Sequence, residues 1–188
     1  MTEPLEKSYS VGTAAALAAC YTASALPVLQ DQTTPIQTVI ASVVLASGLV
    51  VLSAIDLKTL RLPDALTLPL AALGLGLTVA LTWEPSVWWR LAAAAAGYGF
   101  IWGTAAVYQA VRGRLGIGLG DAKLMAVAGA WLGFEGLPAS LLYACGAALL
   151  YVALRFATGR PMSAGDALPF GPFIAAGIWL VWLYGPLV

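Results

Sequence analysis

The sequence predicts an all-α protein: a polytopic transmembrane helix bundle of about seven spans, with its N-terminus in the cytoplasm. Three observations predict it. The 188 residues are 61% hydrophobic and only 10% charged, whereas a soluble domain carries about 25% charged residues. Apolar runs of about 20 residues, long enough to cross a bilayer core as helices, recur along the whole chain. The segments between them carry most of their positive charge on one side. Residues 1–188 are therefore read as a single integral membrane domain, with a mean hydropathy of +0.88.

The spans are expected at roughly 11–30, 37–55, 65–83, 87–111, 121–134, 137–157 and 168–187. The first follows "MTEPLEKSYS", a polar stretch with one lysine and no basic region of the kind that opens a cleaved signal, so it is read as a retained span. The second runs into Asp56. The third starts after Pro63 and Asp64, where Asp64 is expected as the N-cap. The fourth and sixth hold the small-residue stretches "LAAAAAGYG" and "YACGAAL", which suit close helix approach in lipid. The fifth is short and opens at Asp121. The seventh follows "LPFGPF".

With seven spans, Lys7, Lys58, Arg61, Arg112, Arg114, Lys123, Arg155 and Arg160 fall on one side. Arg90 falls on the other, with Asp31, Glu84 and Glu135. The positive-inside rule makes the first side cytoplasmic. Trp83, Trp88 and Trp89 then anchor the outer interface.

Composition also excludes function classes. Net charge is zero and the nine Lys and Arg are dispersed, so nucleic acid is not expected as a partner. The chain has no histidine, which removes Ser-His-Asp, Cys-His and His-ligated metal chemistry. Cys20 and Cys145 lie in apolar runs without a CxxC pair, and are expected as small core residues rather than disulfide or zinc ligands. No metal or cofactor is called for.

Chemistry is left to carboxylates. Asp56 ends the second span in "IDLKTLRLPDALTLPL", at a helix end where the dipole opposes a negative charge. Asp121 opens the fifth in "GIGLGDAKLM", behind Gly116, Gly118 and Gly120. These glycines either pack helices or let a bound strand approach the backbone closely. Asp64 and Asp166 have capping or solvated roles open to them. Two facing carboxylates could share one proton, one activating water while the other polarises a peptide carbonyl. Set against this is a non-catalytic transporter or channel that uses the same carboxylates for a cation or proton. Both acids lie at one membrane edge, and no inverted repeat is apparent. A Ser/Lys peptidase built on Lys58 or Lys123 lacks a well-placed serine.

"IDLKTLRLPDALTLPL", "GIGLGDAKLMAVAGAWLG" and "LPFGPFIAAG" occur in that order, each at the cytoplasmic edge of a span. Together they resemble the type IV prepilin peptidases, bacterial membrane aspartyl proteases with a GxGD motif. The resemblance implies that Asp56 and Asp121 are the catalytic pair. It implies substrates that are type IV prepilins or pseudopilins, cut behind a short basic leader at the cytoplasmic face, and a location in the bacterial inner membrane. Lys123 and Leu124 match the extended motif. Pro169, Phe170, Gly171 and Pro172 match a third element expected to shape the site. With Gly118, Gly120 and Lys123 these are the candidate substrate-positioning residues. Many members also carry a cytoplasmic insert with paired CxxC motifs linked to N-methylation. About six residues join the first two spans here, so a short, peptidase-only form is expected.

Overall fold

The computed structural model describes residues 13, 15–25, 35–82, 87–113, 118–159 and 168–186. Regular structure among them is entirely helical: α1 (Ala15–Ala25), α2 (Ile36–Thr59), α3 (Asp64–Thr82), α4 (Val87–Arg112), α5 (Leu119–Ala157) and α6 (Gly171–Tyr184). Helices α2, α4 and α5 are each long and apolar enough to cross a membrane. The outward surface is apolar too, with Val43, Phe100, Leu149 and Phe156 each at least 60% exposed. A surface of that kind has lipid as its natural solvent. Cys20 and Cys145 are on it; both are exposed, and the expectation of core positions is corrected.

Helix α2 shows why one face turns inward. Ala41, Leu45, Leu49 and Leu52 are buried at steps of three and four residues, one stripe of a helix. Asp56 takes the next place on that stripe, so the register that buries the leucines also buries the carboxylate. The helix stops one turn later, where Leu60 adopts the left-handed conformation (φ 52°) and donates its N–H to the Asp56 carbonyl. Residues 60–63 form the link to α3. The Pro63 carbonyl accepts the first bonds of α3, from Leu66 and Thr67. Asp64 is therefore the first helical residue rather than the cap, a position that still favours an acid.

The expected fifth and sixth spans are the two helical arms of α5, which meet at Gly133, where the backbone leaves the helical region (φ 74°, ψ −169°). A Cβ on Gly97 of α4 would meet both the Met125 carbonyl and the Leu137 side chain. In a straight helix those two residues would lie about 18 Å apart along the axis, so the chain must double back between them. Arg90 holds the turn by donating to the Trp131 carbonyl at 2.8 Å, and Trp89 stacks at a tilt on Phe134. Small residues allow α4 to approach: Gly129 lies directly against the backbone of Ala93 and Ala94.

Contacts fix how the helices are aligned. α2 and α6 run antiparallel, with Gly171 beside Asp56 at one end and Trp182 donating to Ser42 Oγ (2.8 Å) towards the other. α3 and the first arm of α5 run parallel, joined by Asp64 with Lys123 and by Trp131 donating to the Leu70 carbonyl (2.9 Å). The core lies where these pairs meet, around Trp131, Leu45, Leu49, Leu124, Met125, Ile174 and Ile178. Buried indoles satisfy their N–H groups in this way. The ends of α2 and α4 and the starts of α3, α5 and α6 gather at one end of the bundle.

Candidate active site

That end holds both candidate aspartates. Asp56, in the last turn of α2, is 5% exposed. It accepts a hydrogen bond on Oδ2 from the Gly171 backbone N–H, at 3.0 Å. The dipole at the end of α2 opposes a carboxylate, but α6 begins here and points a free N–H at it. The first N–H groups of a helix have no partner within the helix, so a donor from α6 meets an acceptor on α2 that needs one.

Asp121 is the third residue of α5 and is half-buried. Gly118 is the cap of α5, and its carbonyl accepts from the Asp121 N–H at 3.1 Å. The Asp121 carboxylate lies on the side of the Gly118 backbone, whose N–H favours its charged form. The two carboxylates are close enough to feel each other's charge. The fold thus brings Asp56 of the first motif and Asp121 of the second to one end of the bundle, on α2 and α5.

The glycines of the second motif differ in what they do. Gly116 lies outside the described residues. Gly118 has ordinary extended backbone (φ −73°, ψ 136°) and is exposed. A Cβ there would come no closer than 3.5 Å to Asp121 Oδ2, an ordinary contact. Gly120 is tighter: a Cβ would stand 3.1 Å from that of Leu62. Leu62 is buried, so the α2–α3 link packs directly on the first turn of α5. Lys123 pairs with Asp64 and ties the first turns of α3 and α5 together. That pairing was not read from the sequence, where Asp64 was assigned to capping alone. An acid and a base at the starts of two helices meant to meet were the available signal.

In the third motif, Phe170 caps α6 and its carbonyl accepts from Phe173 and Ile174. Pro169 and Phe170 are half-buried, and Pro172 occupies the first turn of α6, where a missing N–H costs nothing. Gly171 is the member of this motif that touches a candidate catalytic group. Asp166 lies outside the described residues. At the same end of the bundle an open groove of about 630 Å³ runs along Ile55, Thr59, Arg61, Leu62, Pro63 and Asp64, with neither Asp56 nor Asp121 in its lining. Its walls combine apolar side chains with backbone of the non-helical link.

Comparison with known proteins places this arrangement. The chain matches the type IV leader peptidase family over residues 43–153, a stretch that contains Asp56 and Asp121. A prepilin leader peptidase/N-methyltransferase of Burkholderia pseudomallei is 46% identical over 135 residues, 71% of this chain and 42% of the relative. The protein of that name in Xanthomonas campestris pv. campestris is 39% identical over 145 residues, 77% of this chain and 50% of the relative. One in Pseudomonas aeruginosa is 37% identical over 152 residues, 77% of this chain and 49% of the relative. The chain spans about half the length of these curated relatives. No solved structure matches it. On the extent of the match, this chain belongs to the type IV leader peptidase family.

Proposed function

We propose that the chain is a membrane aspartyl endopeptidase. It removes the short basic leader of type IV prepilin or pseudopilin-like substrates, and Asp56 and Asp121 carry the chemistry. One observation carries the reading: two carboxylates from separate helices lie at one end of an apolar bundle, near enough for the charge of Asp56 to act on Asp121. Family membership supports it. In the reaction, the ionised carboxylate takes a proton from water as the water oxygen bonds to the scissile carbonyl carbon. The protonated carboxyl hydrogen-bonds the carbonyl oxygen and gives it a proton. Collapse of the tetrahedral intermediate breaks the C–N bond, and a proton passes to the leaving amine. Methyl transfer is not part of the proposal, since Cys20 and Cys145 form no CxxC pair.

The test is cleavage by the chain in proteoliposomes. The substrate is a segment with basic residues before a glycine, followed by about 20 apolar residues. Mass spectrometry is expected to find the cut next to that glycine. A cut within the hydrophobic helix, or no cut by well-folded protein, would overturn the reading.

Orientation belongs to the same proposal. Lys58, Arg61, Arg112, Lys123 and Arg155 lie on segments at the aspartate end, while Arg90 starts α4 at the other. The aspartate end is then cytoplasmic, in the bacterial inner membrane, and the N-terminus lies on that side. With the two arms of α5 counted separately, this reading takes the described helices as seven passes. Single cysteines at Arg61 and Gly113, in a chain whose Cys20 and Cys145 are serine, are expected to resist an impermeant thiol reagent added outside. A cysteine at Trp88 is expected to react. The reverse pattern would invert the topology.

A further inference from the structure

Glycine stands at position 171 for a reason that its backbone does not supply. It is the first residue of α6, and its φ is not in the left-handed region that favours glycine. Space is the constraint. A Cβ built there would lie 2.6 Å from Asp56 Oδ2, 2.9 Å from Cγ and 3.3 Å from Cβ. These three atoms belong to one carboxylate-bearing side chain, and a methyl group would occupy the volume the carboxylate now fills. The Gly171 N–H is meanwhile the donor to that carboxylate, at 3.0 Å. Pro172 follows it and has no N–H to offer in its place.

We propose that Gly171 is a positioning residue for Asp56: its N–H fixes one carboxylate oxygen, and its missing side chain makes room for the group. The inference rests on the peptidase reading and assigns Gly171 to the aspartate rather than to the substrate. The far end of α6 supports it, because Trp182 bonded to Ser42 keeps α6 in register along α2. With Oδ2 committed to the N–H, Oδ1 is left for water.

The experiment compares Gly171→Ala with Gly177→Ala in the full chain. Gly177 is on the same helix and still more crowded, but its Cβ would strike the Ser140 carbonyl instead of Asp56. Displacing a reacting group by about 1 Å can cost about 100-fold. Gly171→Ala is thus expected to lower kcat for the leader-bearing segment about 100-fold, with KM within about threefold of the native value. Gly177→Ala is expected to lower the unfolding temperature, while each folded molecule keeps kcat within about threefold. A second measurement needs no activity: thermal unfolding of Gly171→Ala, Asp56→Ala and the double variant. Alanine at 171 is expected to destabilise the native chain and to cost much less once Asp56 is alanine, a strong non-additivity. Native kcat in Gly171→Ala, or additive unfolding shifts, would overturn the positioning role. Failure of the native chain to cleave would instead overturn the peptidase reading, and the unfolding cycle would still decide whether Gly171 holds Asp56.

Discussion

Asp56→Asn and Asp121→Asn are each expected to abolish cleavage, a loss of at least about 10²–10⁴-fold. The reason is the proton. A water nucleophile needs one ionised carboxylate and the scissile carbonyl needs one protonated partner, whereas an amide can neither take up nor give the proton that passes between them. Folding should survive both changes. The asparagine carbonyl oxygen can still accept the Gly171 N–H at position 56, and position 121 is only half-buried, where an amide of nearly the same size is accommodated. Asp64→Asn is the contrast. Its pairing with Lys123 is between partly exposed groups, worth about 0–1 kcal/mol, so most activity is expected to remain. Rates per folded molecule check this, with folding measured by thermal unfolding in detergent. Native rates in Asp56→Asn would sink the aspartyl mechanism.

Gly133→Val is expected to destabilise the bundle by about 3 kcal/mol, at the upper end of what one forbidden backbone conformation costs. Gly133 stands at φ 74°, ψ −169°, a region that essentially only glycine enters. A Cβ there would meet nothing within 4 Å, so the first side-chain atom adds no crowding to the conformational cost. Gly146 makes the control, since its surroundings are equally open but its backbone is helical. Gly146→Ala is expected to leave stability unchanged or slightly raised, because alanine is the better helix former. If valine at 133 unfolds at the native temperature, the reversal of α5 does not depend on that glycine.

Much of the arrangement was legible beforehand, for physical reasons. Lipid forces long apolar runs, so the helices could be counted from hydropathy. Asp56 and Asp121 were conspicuous because charges are scarce in such a chain and each stood at the edge of a run. A break was expected after residue 134, and the fold turns at Gly133. What could not be read were contacts between distant residues. Nothing near Gly171 in sequence indicates that its N–H faces Asp56, because the meeting depends on how α2 and α6 pack. The pairing of Lys123 with Asp64 is hidden for the same reason. The cysteines were misplaced because apolar neighbours do not distinguish the core from the lipid-facing surface: in a membrane bundle both are apolar.

The placement of the bonds between helices has a mechanical consequence. Helices α2 and α6 are fastened near both ends, by Asp56 with Gly171 and by Ser42 with Trp182. The start of α5 is fastened to α3 twice as well, by Lys123 with Asp64 and by Trp131 with Leu70. A pair fastened twice cannot slide without breaking both fastenings, so each behaves as a stiff beam, and each beam carries one of the two candidate catalytic aspartates. Trp131 and Trp182 meet edge-to-face away from the carboxylates, and Gly177 seated against Ser140 adds a second contact between α6 and α5. The separation of Asp56 and Asp121 is then a property of how the two beams seat against each other, and not of either helix by itself.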